Sequence, residues 1–166
     1  MSQVAYVNGA YLPLRSASVS VLDRGFQFAD SIYEVWAVRS ERLCDDGEHM
    51  ARLQRSLSEL RIESPMAEGA LRAIIGETMR RNRVHDGIVY VQVSRGAAPR
   101  DHVFPALSVR PTVIVTAKNL DRHANAARAA NGVKVISAPE ARWARRDIKS
   151  TNLLANVLAR QAAREA

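Results

Sequence analysis

Arg142-Trp143-Ala144-Arg145-Arg146-Asp147-Ile148-Lys149-Ser150-Thr151-Asn152 runs directly into Leu153-Leu154-Ala155-Asn156-Val157-Leu158, and the rest of the chain is organised around this stretch. Leu153, Leu154, Val157 and Leu158 recur at the spacing of one helical face, and Ser150, Thr151 and Asn152 are residue types whose side chains cap helix starts. The pattern predicts a helix beginning just after Lys149. An amine there lies near the positive end of a helix dipole, which disfavours its protonated form, and an apolar neighbourhood pushes the same way. Lysine serves covalent catalysis where a neutral amine is needed, because its pKa falls on desolvation while arginine stays charged. Only Lys118, Lys134 and Lys149 are lysines among 24 basic residues, so Lys149 departs from the arginine habit of this chain. The same pattern suits an exposed lysine ahead of a surface helix, and spacing alone leaves both readings open.

A chain of 166 residues, 47% of them apolar, is able to bury a core and is not a disordered tail. Its net charge of +7 comes from arginines scattered among acids, with no run of like charge, so no nucleic-acid partner is expected. The reading from a different class is a basic, non-catalytic binding domain, which salt-dependent retention on DNA would favour. A lone cysteine, Cys44, excludes an internal disulfide framework and leaves no zinc cluster, so no metal site is expected. No segment approaches the ~18 continuous apolar residues of a membrane span, and the opening residues lack a basic-then-apolar signal pattern. A cytoplasmic protein without a membrane partner is expected.

Taken in order, Val4 to Val7, Asn8-Gly9, and Ala10 to Pro13 read as two strands about a two-residue turn. Ser31 to Val38 is β-branched and aromatic and reads as a strand, with Tyr33, Val35 and Ala37 on one face and Ile32, Glu34 and Trp36 on the other. Arg39 to Leu43 suits a turn and a paired return strand. Met50, Leu53, Leu57 and Leu60 fall at helical intervals between Asp46 and Arg61, and Ser64-Pro65 closes that helix. Leu71, Ile74, Ile75, Thr78 and Met79 mark a second amphipathic helix from about Met66 to Arg83. Strands follow at Ile88 to Ser94 and Thr112 to Ala117. Asn119 to Gly132 reads as an interdomain connector, with a short helix over Arg122 to Ala130 left open, and Val133 to Ser137 reads as a new strand. The expected division is 1–118, a connector at 119–132, and the start of a second domain at 133–166.

Four segments, in order, resemble the fold-type IV (class IV) pyridoxal-phosphate enzymes, the family of D-amino-acid and branched-chain aminotransferases. Residues 142–161 are similar to its lysine segment, R-W-x-R-x-D-I-K-S-x-N-L-L-x-N-V-L-A-x-Q. Residues 23–35 resemble its D-R-G-[FY]-x-[FY]-G-D-G-[VI]-[YF]-E signature, with Ala29 and Ser31 where many members have glycine. His49 to Leu53 resembles its H-x-x-R-L segment, and 95–105 its R-G-x-x-x-R-x-H-x-F-P loop, which points to the D-amino-acid members. Branched-chain aminotransferases and aminodeoxychorismate lyases share the lysine segment and are the alternatives.

The resemblance implies an α+β fold-type IV architecture, with an N-terminal sandwich-like domain and the beginning of a C-terminal pseudo-barrel domain. It implies pyridoxal 5'-phosphate as cofactor, Lys149 as its Schiff-base lysine, and Arg52 as the ligand of its phosphate, which a guanidinium fork matches bidentately. Arg142 is a further candidate for contacting the cofactor. Tyr33, Arg100 and His102 are the implied donors to a substrate carboxylate, and the implied reaction moves an amino group between a D-amino acid, such as D-alanine, and a 2-oxo acid. Because that loop acts on the neighbouring subunit's site in this family, a homodimer is implied. Family members continue beyond the position of Ala166 with an acidic partner for the pyridine nitrogen, and the last helix here is accordingly expected to present unburied leucines.

Overall fold

The computed structural model describes residues 3–105 and 109–166. The elements are β1 (Val4–Val7), β2 (Ala10–Pro13), α1 (Arg24–Phe28), β3 (Ser31–Arg39), β4 (Arg42–Leu43), α2 (Asp46–Glu59), α3 (Glu68–Asn82), β5 (Gly87–Ser94), β6 (Thr112–Asn119), α4 (Arg122–Asn131) and α5 (Leu154–Glu165). Six strands form one sheet in the order β2-β1-β6-β5-β3-β4, and every pairing is antiparallel. The fold is therefore α+β. Asn8 and Gly9 turn the first hairpin with φ of 48° and 103°, the left-handed pair that a tight two-residue hairpin requires.

One sheet face carries the core. Ile32, Glu34 and Trp36 of β3 are fully buried with Val89, Val91 and Val93 of β5 and Val115 of β6, as alternation along the strands dictates. Helices α2 and α3 cover this face through Met50, Leu53 and Leu57 and through Leu71, Ile75 and Met79; each such side chain contributes ~1.5–3 kcal/mol of transfer free energy when fully buried. Ile148, from the lysine segment, joins the same cluster.

Three local expectations are corrected. The helix expected just after Lys149 starts at Leu154, and Leu153 caps it without a side-chain hydrogen bond. Ser150 instead bridges Ile32 of β3: β4 pairs only with Val38 and Arg39, so the early part of β3 has a free edge whose backbone groups need partners. Lys149 consequently lies more than a turn ahead of the helix, beyond the reach of its dipole. Val133 to Ser137 forms no strand; its residues are exposed and pair with no described strand. Asp23 to Asp30, given no element above, contains α1, where the Asp23 carboxylate accepts from the Gly25 amide. The alternative left open in the connector is realised as α4, with Asp121 as its cap. Leu154, Val157 and Leu158 of α5 are exposed, as expected. Among the described residues no helix is long and apolar enough to cross a membrane.

Candidate active site

The lysine segment is bound to the rest of the protein from two sides. Along β3, the Tyr33 amide donates to the Lys149 carbonyl at 2.9 Å and the Thr151 amide to the Ser31 carbonyl at 3.1 Å. From α2, the Arg55 guanidinium donates to the Asp147 carbonyl at 2.5 Å, and the buried Ser56 hydroxyl accepts from the Lys149 amide at 3.3 Å. Arg145 reaches back to Glu59 at 2.7 Å. Residues one helical turn apart on α2 thus grip the strand-like piece that carries the lysine.

This framework puts Lys149 Nζ 2.9 Å from the Tyr33 hydroxyl and 4.0 Å from the centre of its ring. The Tyr33 ring stacks on Tyr90 at 5.7 Å between centroids. Burial, and then the neighbouring Tyr33, push the Tyr90 phenol up to about 12, so it stays protonated and donates to Gln92 at 2.7 Å. Tyr33, Arg52, Trp143, Lys149 and Asn152 border a polar crevice of about 250 Å³, with Arg142 at its side. A larger hollow of about 410 Å³ under α4 is mostly apolar and holds no lysine.

Arg52 enters the crevice from α2 and is held from behind. Its Nε and Nη2 donate to the two Glu34 oxygens at 2.6 and 2.8 Å, and His49 Nδ1 lies 2.9 Å from the same carboxylate. Burial pushes the Glu34 carboxyl up, but hydrogen bonds from Arg52 and His49 outweigh it, and the net position is below the usual carboxylate range. The Glu34 bond in turn holds the Arg52 proton more firmly than usual.

The other candidates are placed differently: Arg142 borders the crevice from its outer side, and Arg100 and His102 lie away from it. Arg142 is exposed and paired with Glu140 through Nε at 3.0 Å. Arg100 and His102 pack on Phe28 at the end of α1, the Arg100 Cζ 5.3 Å and the His102 ring 5.4 Å from the Phe28 centroid. Neither borders the Lys149 crevice. Within one chain the structure therefore brings together Lys149, Tyr33 and Arg52, with Arg142 nearby, and does not bring Arg100 and His102 to Tyr33. Sequence reasoning missed Glu34 and Ser56 as parts of the site. Glu34 had a signal, since a carboxylate between Ile32 and Trp36 on a buried face needs a cationic partner.

An α+β sheet protein that presents a lysine amine, a phenol and a guanidinium in one crevice has the parts of a site for a carbonyl-bearing, anionic ligand. Residues 31–166 match the family described as Amino-transferase class IV, and the chain belongs to that family. It is 37% identical over 156 residues to the D-alanine aminotransferase of Staphylococcus haemolyticus, covering 94% of this chain and 55% of that protein. The chain thus spans about half the length of the curated relatives it matches. A branched-chain amino acid aminotransferase from T.th., complexed with N-(5'-phosphopyridoxyl)-L-glutamate, superposes with a TM-score of 0.81 at 25% identity, over 99% of this chain and 56% of that one. The 4-amino-4-deoxychorismate lyase of Pseudomonas aeruginosa superposes at 0.72 with 27% identity, over 95% and 56%.

Proposed function

We propose that this chain carries the lysine-bearing part of a pyridoxal-phosphate-dependent transaminase that moves an amino group between a D-amino acid, D-alanine-like in size, and a 2-oxo acid. The observation that carries the reading is Lys149 Nζ at 2.9 Å from the Tyr33 hydroxyl in a crevice that Arg52 also borders. An amine, a phenol and a guanidinium fit an aldehyde and a phosphate dianion in chemical type. The crevice is smaller than the ~300–1,000 Å³ of complete small-molecule sites, in keeping with a site that further protein elements complete.

Bound there, the cofactor supplies an aldehyde that condenses with amines and a ring that takes up the electron pair released at the substrate Cα. Lys149 contributes the amine that would hold it and the base that would move the proton at the substrate Cα. Tyr33 orients Nζ by accepting its hydrogen bond. Arg52 neutralises the phosphate, and Arg142 closes the crevice beside Trp143. Arg100 and His102 are read as carboxylate donors acting on the site of a second copy, a reading supported by their distance from this chain's own lysine crevice and one that makes the protein a homodimer.

The test is to add pyridoxal phosphate, reduce with borohydride and locate the label by peptide mass. The expected result is one label on Lys149; a label on Lys118 or Lys134, or none, overturns the assignment. The branched-chain reading draws on the superposed branched-chain aminotransferase. Mixing Lys149→Met chains with Arg100→Ala chains separates the two: restored turnover of D-substrates alone supports the D-specific dimer, and turnover of L-branched substrates instead supports the other.

A further inference from the structure

Glu34 is a fully buried carboxylate, and three features of its surroundings go beyond neutralisation. Its partner Arg52 is not buried with it: that side chain is 41% exposed while Glu34 is at 0%, so the pair straddles the boundary between core and crevice. The bond uses the Nε and Nη2 edge of the guanidinium, and among the described residues Nη1 makes no hydrogen bond. His49 adds a second anchor, donating from Nδ1 to Glu34 while its ring packs against Trp36 at 5.3 Å.

A planar fork held along one edge by a bidentate carboxylate loses its freedom to swing, and its remaining donors then face a fixed direction. A buried ion pair is weak evidence for stability, since apolar residues of similar volume do as well or better. Ile32 and Trp36 fill the neighbouring positions on this face of β3. A carboxylate between them is better accounted for by what it does to Arg52.

We propose that Glu34, with His49 as its second anchor, is a positioning residue that fixes the Arg52 guanidinium so that its unused edge receives a phosphate dianion in the Lys149 crevice. This rests on the cofactor reading above and deepens it, because Glu34 touches no ligand and acts only through Arg52.

The experiment compares pyridoxal phosphate with pyridoxal, which carries the same aldehyde and no phosphate. Equilibrium dissociation constants for both are measured on the intact chain, and the ratio between them isolates the phosphate contact. Arg52→Ala collapses the ratio. Glu34→Gln lowers it by ~10-fold or more, as loss of an orienting partner behind a ligand-binding group does, while pyridoxal binding stays within about twofold. Glu34→Asp keeps the charge and the fold but draws the carboxylate back by one methylene, and it lowers the ratio by a smaller factor; it decides the matter where Glu34→Gln fails to fold. His49→Gln gives a partial loss. A ratio unchanged in folded Glu34→Asp, or a loss of both ligands in equal measure, overturns the positioning role. Failure of the unaltered chain to bind either aldehyde overturns the cofactor reading and this one with it.

Discussion

Lys149 and Tyr33 are joined twice: the Tyr33 amide donates to the Lys149 carbonyl at 2.9 Å, and Lys149 Nζ reaches the Tyr33 hydroxyl at 2.9 Å. The backbone bond fixes where the lysine starts and the side-chain bond fixes where it ends. Tyr33→Phe keeps the first and the stack on Tyr90, and removes only the second. The expected outcome is a ~10-fold slower borohydride-trapped labelling of Lys149, the scale of one hydrogen bond to a charged or reactive group. Urea unfolding should move by less than ~1 kcal/mol. A labelling rate equal to that of the parent chain rejects the orienting role of the hydroxyl.

Asp30 gives a pH prediction. It receives Arg95 Nε and Arg24 Nε at 2.7 and 2.8 Å, and both arginines are buried. Burial pushes its carboxyl up, but hydrogen bonds from Arg95 and Arg24 outweigh it and hold the group below its usual value. The folded state therefore releases this proton more readily than the unfolded chain. Its contribution to stability is complete above the unfolded carboxylate value of ~4 and is lost as pH falls through the lower native value. Asp30→Asn removes that component of the acid transition and, by stranding two buried guanidinium groups, costs ~3–5 kcal/mol near neutrality. Thermal unfolding of both proteins across pH 2 to pH 7 measures it; parallel curves contradict the assignment.

Ala29 stands where the class IV signature that residues 23–35 resemble carries glycine, and it adopts φ 55° and ψ 26°. The left-handed region costs an L-residue ~1–2 kcal/mol, and glycine gives back ~0.5–1 kcal/mol of that in chain entropy. Ala29→Gly is therefore expected to stabilise by about 0.5–1 kcal/mol. A destabilised variant in chemical denaturation would show that the alanine methyl packs more favourably than the backbone suffers.

The sheet and the two covering helices were legible because their signals are local. Alternation put Ile32, Glu34 and Trp36 on one face, and period-3.6 spacing put Met50, Leu53 and Leu57 on one stripe; all six are buried. What was hidden depends on partners far away in sequence. Ser150 to Asn152 have the chemistry of a cap, yet the open edge of β3, 120 positions earlier, takes the Thr151 amide at the Ser31 carbonyl and bridges Ser150 through Ile32. Val133, Val135 and Ile136 have strand propensity, but they pair with no described strand and stay exposed. The resemblance to the class IV motifs pointed to Lys149, Tyr33 and Arg52. It could not show that Glu34 stands behind Arg52, or that Phe28 holds Arg100 and His102 away from this crevice.

The docking of the lysine segment is itself testable at Ser31 and Thr151. Their hydroxyl oxygens lie 2.5 Å apart, Ser31 is fully buried, and the Thr151 amide also donates to the Ser31 carbonyl. Thr151→Val keeps the shape and the backbone bond but leaves the Ser31 hydroxyl without that partner, at a cost of ~1–3 kcal/mol. Ser31→Ala does the same to Thr151, less severely because Thr151 is partly open to solvent. Removing both hydroxyls together takes away the unsatisfied group along with the bond, so the double variant should be more stable than the two single losses added. A double-mutant cycle by urea unfolding is expected to return a coupling of ~1–2 kcal/mol. The same cycle read through labelling of Lys149 should follow it, because the segment these hydroxyls hold carries the lysine. Coupling near zero in the unfolding cycle would mean that the backbone bonds along β3 dock the segment without help from the side chains.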